Sequence, residues 1–215
     1  KLPKNISLKN SMIFGTAGFT AMYAILRLIE SGIKKKTNSI LVTGSSGGVG
    51  LFSILILSKI GFKVTALTRH ANAEKLLKSI GASDIILQKE LDKHILLPLL
   101  NSRFSAVIDN LGGHVLSNAS KLLINGGKII SVGNVLSNNS NISILPFILR
   151  KIEMIGINTE TAPRATRNHI WRELAKIQSN KLKKIFKTHK FKDLNLLIKK
   201  LIKNYSGGRR IISFN

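Results

Sequence analysis

The residues best suited to chemistry lie in a glycine-rich loop, Gly44-Ser-Ser-Gly-Gly-Val-Gly50, which directly follows the short apolar run that begins at Ile40. A second apolar stretch begins at Leu51 and ends before Gly61. Strand, glycine turn and helix in this order are typical of a loop that binds the pyrophosphate of a dinucleotide. Glycines let the backbone turn tightly and approach the phosphates, and the amino end of the following helix favours an anion. We expect Gly50 to let this helix pack closely on the strand.

The loop fits the glycine patterns of two dehydrogenase families. Its last four residues match the Gly-Gly-x-Gly ending of medium-chain enzymes, and Thr43 to Gly50 also match the Thr-Gly-x-x-x-Gly-x-Gly loop of short-chain enzymes. Short-chain enzymes need a Tyr-x-x-x-Lys pair, yet arginine stands four positions after both tyrosines, Tyr23 and Tyr205. About forty residues, including a long predicted helix, also precede the loop. These observations exclude the short-chain family.

The end of the second predicted strand indicates which dinucleotide binds. An acidic residue at this point bonds the ribose 2′-hydroxyl of NAD, whereas a basic residue accommodates the 2′-phosphate of NADP. Here the strand ends in Thr68, Arg69 and His70, and the first acid is Glu74. The guanidinium of Arg69 is planar and permanently charged, which suits a phosphate. The sequence therefore predicts NADPH.

Outside this loop the sequence presents no catalytic constellation. The five histidines, which show no metal-ligand spacing, are His70, His94, His114, His169 and His189. The letters Gly-x-Ser-x-Gly do occur at Gly44–Gly48, but they lie inside the glycine loop, which we interpret as a dinucleotide loop and not as a nucleophile motif. Hydride transfer needs neither feature, because the cofactor supplies the chemistry. We therefore assign no catalytic residue and expect no metal.

Strands that alternate with helices predict an α/β fold with a doubly wound parallel sheet, the Rossmann fold. The predicted strands are 40–43, 63–68, 84–87, 105–109, 128–132 and 154–158, and the main helices are 11–31, 51–60, 73–80, 115–123 and 164–178. Ligands of such sheets lie beyond the carboxyl ends of the strands. From about Ser179 the pattern changes to a strand, a helix and a final strand, in a segment too small to fold alone.

The formal net charge of +24 raises the possibility of nucleic-acid binding. Lysine outnumbers arginine 25 to 9, and nine lysines lie between Lys181 and Lys203 beside one acid, Asp193. This segment has few aromatic residues that could stack on bases. The lysine excess is also typical of A+T-rich coding sequences. We therefore favour a solvated basic face over a nucleic-acid site.

The composition also bears on the compartment. The chain has 215 residues and no cysteine, which excludes disulfides and is compatible with a cytoplasmic location. The longest apolar run, Val49–Leu57, is too short to span a bilayer, and the start of the chain has no signal-peptide pattern. We expect a cytoplasmic protein without a membrane partner.

Several segments in order resemble the zinc-independent acryloyl-CoA reductase branch of the medium-chain dehydrogenases/reductases, whose members are often called quinone-oxidoreductase-like. The segments that carry the resemblance, together with the glycine loop, are 15–22 (Gly-Thr-Ala-Gly-Phe-Thr-Ala-Met), 78–83 (Lys-Ser-Ile-Gly-Ala-Ser), 145–150 (Leu-Pro-Phe-Ile-Leu-Arg), 156–158 (Gly-Ile-Asn) and 208–209 (Gly-Arg). The first and third of them are far more discriminating than the loop, and the resemblance spans essentially the whole chain.

The resemblance implies NADPH-dependent reduction of the 2,3-double bond of an enoyl-CoA such as acryloyl-CoA, and a homodimer. It assigns the pyrophosphate to Ser46, Gly47, Gly48 and Val49, and the 2′-phosphate to Thr68 with Arg69 or His70. It places Asn134, Ile148 and Thr159 along the ribose and nicotinamide, Thr20 in the nicotinamide pocket, and Arg209 near the cofactor. The family usually has Gly followed by Arg or Lys where this chain has Arg69-His70, and Asp-Ser where it has Asn158-Thr159.

The resemblance also implies a domain division. Residues 1–178 correspond to the NADP-binding Rossmann domain, and residues 179–215 to a C-terminal remnant of a GroES-like substrate domain that is otherwise mostly absent. We therefore expect a fragment that binds NADPH but is weak or inactive as a reductase. The alternatives are a quinone or enone reductase of the same fold, and a non-catalytic module that binds nucleotide or nucleic acid.

Overall fold

The computed structural model describes residues 2–35, 39–93, 96–177, 180–203 and 207–214. Three sequence-based expectations fall outside these ranges. They are the roles of His94 and Tyr205, the end of the predicted helix at Gln178, and the proposed domain boundary between residues 178 and 179.

Six parallel strands form the central sheet and confirm the predicted doubly wound fold. The strands are β1 (Ser39–Val42), β2 (Val64–Thr68), β3 (Asp84–Leu87), β4 (Phe104–Asp109), β5 (Leu123–Ser131) and β6 (Glu153–Gly156). Their spatial order is β3-β2-β1-β4-β5-β6, with every neighbouring pair parallel. The order reverses between β1 and β4, and a doubly wound sheet binds ligands at such a switch point.

Helices cover both faces of the sheet. They are α1 (Leu8–Glu30), α2 (Gly48–Lys59), α3 (Glu74–Ile80), α4 (Gln88–Asp92), α5 (Gly113–Ser120), α6 (Leu145–Arg150), α7 (Arg164–Ala175) and α8 (Leu194–Lys203), with short 3₁₀ helices at Ala71–Ala73, Asn180–Lys184 and Phe191–Asp193. Every residue of β1, β2 and β4 is buried. Burial on both faces explains why these strands are mostly apolar instead of alternating between apolar and polar residues.

The first helix, α1, contains a kink. Gly15 has φ +47° and ψ −151°, so two helical segments meet there at a conformation that an L-residue rarely adopts. By length and composition α1 could cross a membrane, with a mean hydropathy of 1.5 in its most apolar window. However, 61% of that window is buried inside the protein, where Ile13, Phe14 and Leu28 belong to the main core. This burial identifies α1 as a core helix.

The C-terminal segment forms a separate two-stranded parallel sheet of β7 (Phe186–Lys190) and β8 (Arg209–Ser213), which packs on α1. A Cβ added at Gly207 would lie 2.5 Å from the carbonyl oxygen of Ser46, so this segment also touches the glycine loop closely. The packing agrees with the expectation that the segment does not fold alone. Its assignment to a second domain stays a prediction.

Arg150, at the end of α6, ties this helix to the sheet. Its guanidinium donates to the carbonyl oxygens of Lys121 (2.7 Å), Leu123 (3.0 Å) and Leu100 (2.6 Å). These acceptors lie at the end of α5, at the start of β5 and in the segment before β4, respectively. The arginine of the Leu-Pro-Phe-Ile-Leu-Arg segment is therefore a structural tether.

We expect Arg150→Ala to lower the free energy of unfolding by about 2–3 kcal/mol, because three backbone acceptors lose a charged donor. Arg150→Lys should cost less than Arg150→Ala, because its ammonium can still donate to a carbonyl. It should not be neutral, since one ammonium cannot reproduce the planar fork of the guanidinium. The exposed Arg172 of α7 offers a matched control, and Arg172→Ala should change stability by less than about 0.5 kcal/mol. Urea unfolding measures all three variants, and equal midpoints for Arg150→Ala and the wild type would contradict the tether.

Candidate functional site

A cleft of about 610 Å³ lies at the carboxyl edge of the central sheet. It lies over the switch point, because residues that follow β1, β2, β4 and β5 line it together. Among the predicted cofactor residues, those that line this cleft are Thr20, Ser46, Gly47, Gly48, Val49, Thr68, Arg69, His70 and Thr159. The fold therefore brings predicted residues from four separate parts of the chain to one place.

Hydrogen bonds to β2 hold the glycine loop in place. The N–H and Oγ of Ser45 both donate to the carbonyl of Leu67, at 3.2 and 2.8 Å, which ties the loop to β2. Gly44 has φ +56°, and the N–H of Gly47 donates to its carbonyl at 2.9 Å. The loop thus has one defined shape before any ligand binds.

Gly50 is required by this shape, although not for the expected reason. A Cβ at this position would lie 2.5 Å from the carbonyl oxygen of Gly44 and 2.6 Å from the Cα of Ser45. The close approach is therefore to the backbone of the loop itself, whereas the sequence suggested helix-to-strand packing. Any side chain at this position must displace the loop.

The amino end of α2 is open to an anion. Gly47 is its N-cap residue and supplies no side-chain hydrogen bond to the first turn, which contains no acid. The first N–H groups of a helix lack intrahelical partners and carry partial positive charge. With the left-handed Gly44 beneath it, this end forms a cradle that fits a pyrophosphate.

Arg209 adds a full positive charge beside this cradle. Its Nε donates to the carbonyl of Ile13 at 3.3 Å, just before the kink of α1, and its side chain fills the space over Gly15 and Gly48. Burial lowers the pKa of Arg209, which shows that its charge is partly stripped of water. Arginine stays protonated nonetheless, so an anion bound at the cradle would offset the free-energy cost of this desolvation.

The last residue of β2 and the two residues that follow it form the predicted 2′-phosphate site. The Oγ1 of buried Thr68 accepts a hydrogen bond from the N–H of His70 at 3.1 Å. The Nε of exposed Arg69 donates to the Nε2 of His70 at 3.2 Å. Gln88, the first residue after β3, also lines this part of the cleft. We did not single out Gln88 from the sequence, although its position directly after a strand is a usable signal.

Three predicted residues lie outside the lining of the cleft. Arg209 lies beside it, as described above. Asn134 stands between two lining residues, while its own Nδ2 donates to the Oδ1 of Asn138 at 2.5 Å. Ile148 lies on α6 with 61% of its surface exposed. The cofactor roles of all three stay predictions.

A buried carboxylate, Asp109, supports the floor of the cleft at the end of β4. Its two oxygens accept hydrogen bonds from the Oγ1 of Thr43 at 2.6 Å and the N–H of Gly112 at 2.8 Å. Thr43 in turn accepts from the N–H of Asn110 at 2.9 Å, so one hydroxyl links β1 to β4. Burial raises the pKa of Asp109, and the Thr43 hydroxyl partly opposes this shift.

We expect Thr43→Val to lower the free energy of unfolding by about 3 kcal/mol near neutral pH, because it removes a charge-assisted hydrogen bond and leaves a buried N–H unpaired. With its pKa raised, folded Asp109 holds its proton more tightly than the unfolded chain does, so its ionisation costs stability as pH rises. Thr43→Val raises that pKa further, and the deficit should therefore grow as the pH rises above about 4, where an ordinary aspartate ionises.

Thr43→Ser, which keeps the hydroxyl, should cost only about 1 kcal/mol and show no such growth. Urea unfolding at several pH values measures both variants. A deficit for Thr43→Val that does not depend on pH would contradict the link to Asp109.

Comparison with known proteins gives three consistent relatives. A family model described as zinc-binding dehydrogenase matches residues 48–177. The acrylyl-CoA reductase AcuI of Ruegeria pomeroyi is 29% identical over 215 residues, covering 100% of this chain and 65% of that protein. The yhdH oxidoreductase of Salmonella enterica, solved in complex with NADP, superposes with a TM-score of 0.93 at 30% identity, covering 100% of this chain and 66% of that one.

The third relative is YhfP of Bacillus subtilis, whose name places it among the quinone oxidoreductases. It is 33% identical over 174 residues, covering 81% of this chain and 53% of that protein. Its structure with NAD bound has a TM-score of 0.92 at 30% identity, covering 99% of this chain and 65% of that one. The chain therefore spans between about half and two thirds of the length of these relatives.

The family description mentions zinc, which raises the question of which side chains of this chain could bind a metal ion. The described residues contain no group of three or more His, Cys, Asp or Glu side chains that could hold a metal ion. The sequence has no cysteine. The described part of the chain therefore does not supply a zinc site of the usual kind.

Proposed function

The chain belongs to the zinc-binding dehydrogenase family, and from this premise we propose that it binds NADPH in the cleft as the cofactor part of an oxidoreductase. The observation that carries the proposal is the cradle at the amino end of α2, which has a half-buried Arg209 beside it and Arg69 at the far end of the same cleft. In this proposal Arg209 would face the pyrophosphate of NADPH and Arg69 its 2′-phosphate.

Each part of the cofactor has candidate contacts in this chain. The loop residues Ser46 to Val49 and Arg209 would hold the pyrophosphate, and Thr68 with Arg69 or His70 would hold the 2′-phosphate. Thr20, Asn134, Ile148 and Thr159 would lie along the ribose and nicotinamide. When bound, the nicotinamide supplies a hydride. The chain's own residues orient the cofactor and shield it from water.

The substrate we propose is an enoyl-CoA such as acryloyl-CoA, reduced at its 2,3-double bond. Its support is the similarity to AcuI, which extends over the whole chain. Reduction of a quinone or enone is the second candidate, favoured by the similarity to YhfP. For the catalytic groups we make no assignment.

Oxidation of NADPH, followed at 340 nm with acryloyl-CoA and with 1,4-benzoquinone, separates the two candidates. Because we expect the chain to be weak as a reductase, turnover should be slow with both acceptors, with the larger kcat/KM for acryloyl-CoA. A larger value for benzoquinone would contradict the enoyl-CoA proposal and support the second candidate. The control is NADPH with the chain and no acceptor.

We also propose that the chain is cytoplasmic. A separate proposal concerns its assembly, in which two copies form a homodimer through the β6 edge of the sheet. Among the described strands β6 pairs only with β5, and Met154 on β6 is 42% exposed. Leu149 on the adjacent α6 is 61% exposed. An unpaired edge beside apolar side chains suits a second copy. Sedimentation velocity should show a dimer that Met154→Lys with Leu149→Lys dissociates, and a wild-type monomer at all concentrations would contradict this interface.

A further inference from the structure

A second cavity lies away from the cofactor cleft, between the start of α1, the end of α7 and the 3₁₀ helix Asn180–Lys184. Its volume is about 570 Å³, which is within the range of small-molecule sites. The two cavities share no lining residue. A ligand here would therefore not occupy the dinucleotide position.

The cavity has an apolar floor and a basic rim. Ile13, Phe14 and Leu174 form part of the floor, and all three are buried in the main core. Lys9 and Lys183 stand at the rim with exposed side chains. The apolar atoms and the cations are thus on separate sides of one space.

The charges of the rim are uncompensated. None of the described lining residues is acidic. Within the described ranges, neither Lys9 nor Lys183 has an ion-pair partner. Lys181 and Lys184 flank Lys183 in the sequence, so the local potential is positive. Such a rim favours an anionic group, while the floor favours a hydrocarbon.

We propose that this cavity binds a small amphipathic anion, an alkyl chain that carries a carboxylate or phosphate head. The alkyl chain lies along Phe186, a partly buried apolar side chain of the lining, with Ile13 and Phe14 beneath it, and there it leaves water. The head group lies between Lys9 and Lys183. The same two lysines repel a ligand with an alkyl chain of equal length and a cationic head group.

Titration calorimetry with octanoate, octyl phosphate and octylamine tests the site on the chain as it stands. We expect both anions to bind and octylamine not to bind, and the tighter anion identifies the preferred head group. Backbone amide NMR shifts should map the anion to residues around Ile13, Phe14 and Ile177. Saturating NADPH should not displace it.

Lys9→Gln with Lys183→Gln should weaken binding of the anion about fivefold. Lys63→Gln with Lys75→Gln changes the net charge equally at exposed sites away from the cavity and should leave the affinity unchanged. The proposal is overturned if octylamine binds as tightly as octanoate, if both double variants behave alike, or if NADPH competes with the anion.

Discussion

Gly50→Ala is expected to abolish NADPH binding and to lower the free energy of unfolding by about 3 kcal/mol. The added Cβ would lie 2.5 Å from the carbonyl oxygen of Gly44 and 2.6 Å from the Cα of Ser45. These are backbone atoms, and Ser45 is held to Leu67 by two hydrogen bonds. The loop must therefore move as a whole, which removes the cradle for the pyrophosphate. Urea unfolding and titration with NADPH measure the two effects.

Gly156→Ala is the matched control for this variant. Gly156 lies in β6, has no positive φ, and a Cβ added there meets nothing within 4 Å. It should keep the wild-type affinity for NADPH and change stability by less than about 1 kcal/mol. If Gly50→Ala bound NADPH as tightly as Gly156→Ala, the loop could not be the pyrophosphate site.

Arg69→Glu is expected to shift the ratio of NADPH to NADH affinity about a hundredfold toward NADH. The change removes a charge-assisted hydrogen bond to the 2′-phosphate and puts a like charge beside it. The new carboxylate can also accept from the free 2′-hydroxyl of NADH. Dissociation constants for both cofactors, from titration calorimetry, give the ratio.

Two further variants show where this effect arises. Arg69→Gln, which removes the charge without reversing it, should give a smaller shift in the same direction. Lys75→Glu makes the same charge reversal on exposed α3 and should leave the ratio nearly unchanged. An unchanged ratio for Arg69→Glu would mean that the 2′-phosphate is recognised elsewhere.

The sheet and the loop could be predicted from the sequence because their signals are local. β1 and β4 are buried on both faces and are therefore mostly apolar. The loop combines glycine spacing with a strand before it and a helix after it. The residues after β2 followed from strand position alone, and the structure places Thr68, Arg69 and His70 in one cleft.

Element ends were less predictable where tertiary contacts decide them. The predicted helix 115–123 is observed as Gly113–Ser120, because Leu123 already belongs to β5. The strand predicted at 128–132 begins earlier, because residues 125–127 lie within β5 at a shift in its pairing with β4. This irregularity is a property of the pairing between β4 and β5, so the periodicity of one segment cannot reveal it.

Contacts between distant segments left no local signal. Arg209 reaches the carbonyl of Ile13 across 196 positions of sequence. The lack of a side chain at Gly15 leaves the space for Arg209, and α1 is kinked at this glycine, yet the sequence predicts one continuous helix. Likewise, the tethering role of Arg150 depends on three carbonyls that only the folded chain brings together.

Titration calorimetry of the wild-type chain with NADPH and NADH tests the central claim most directly. The cleft predicts one saturable site per chain, with NADPH bound more tightly than NADH and both lost in Gly50→Ala. Absence of saturable binding of NADPH by the folded wild-type chain would contradict the account.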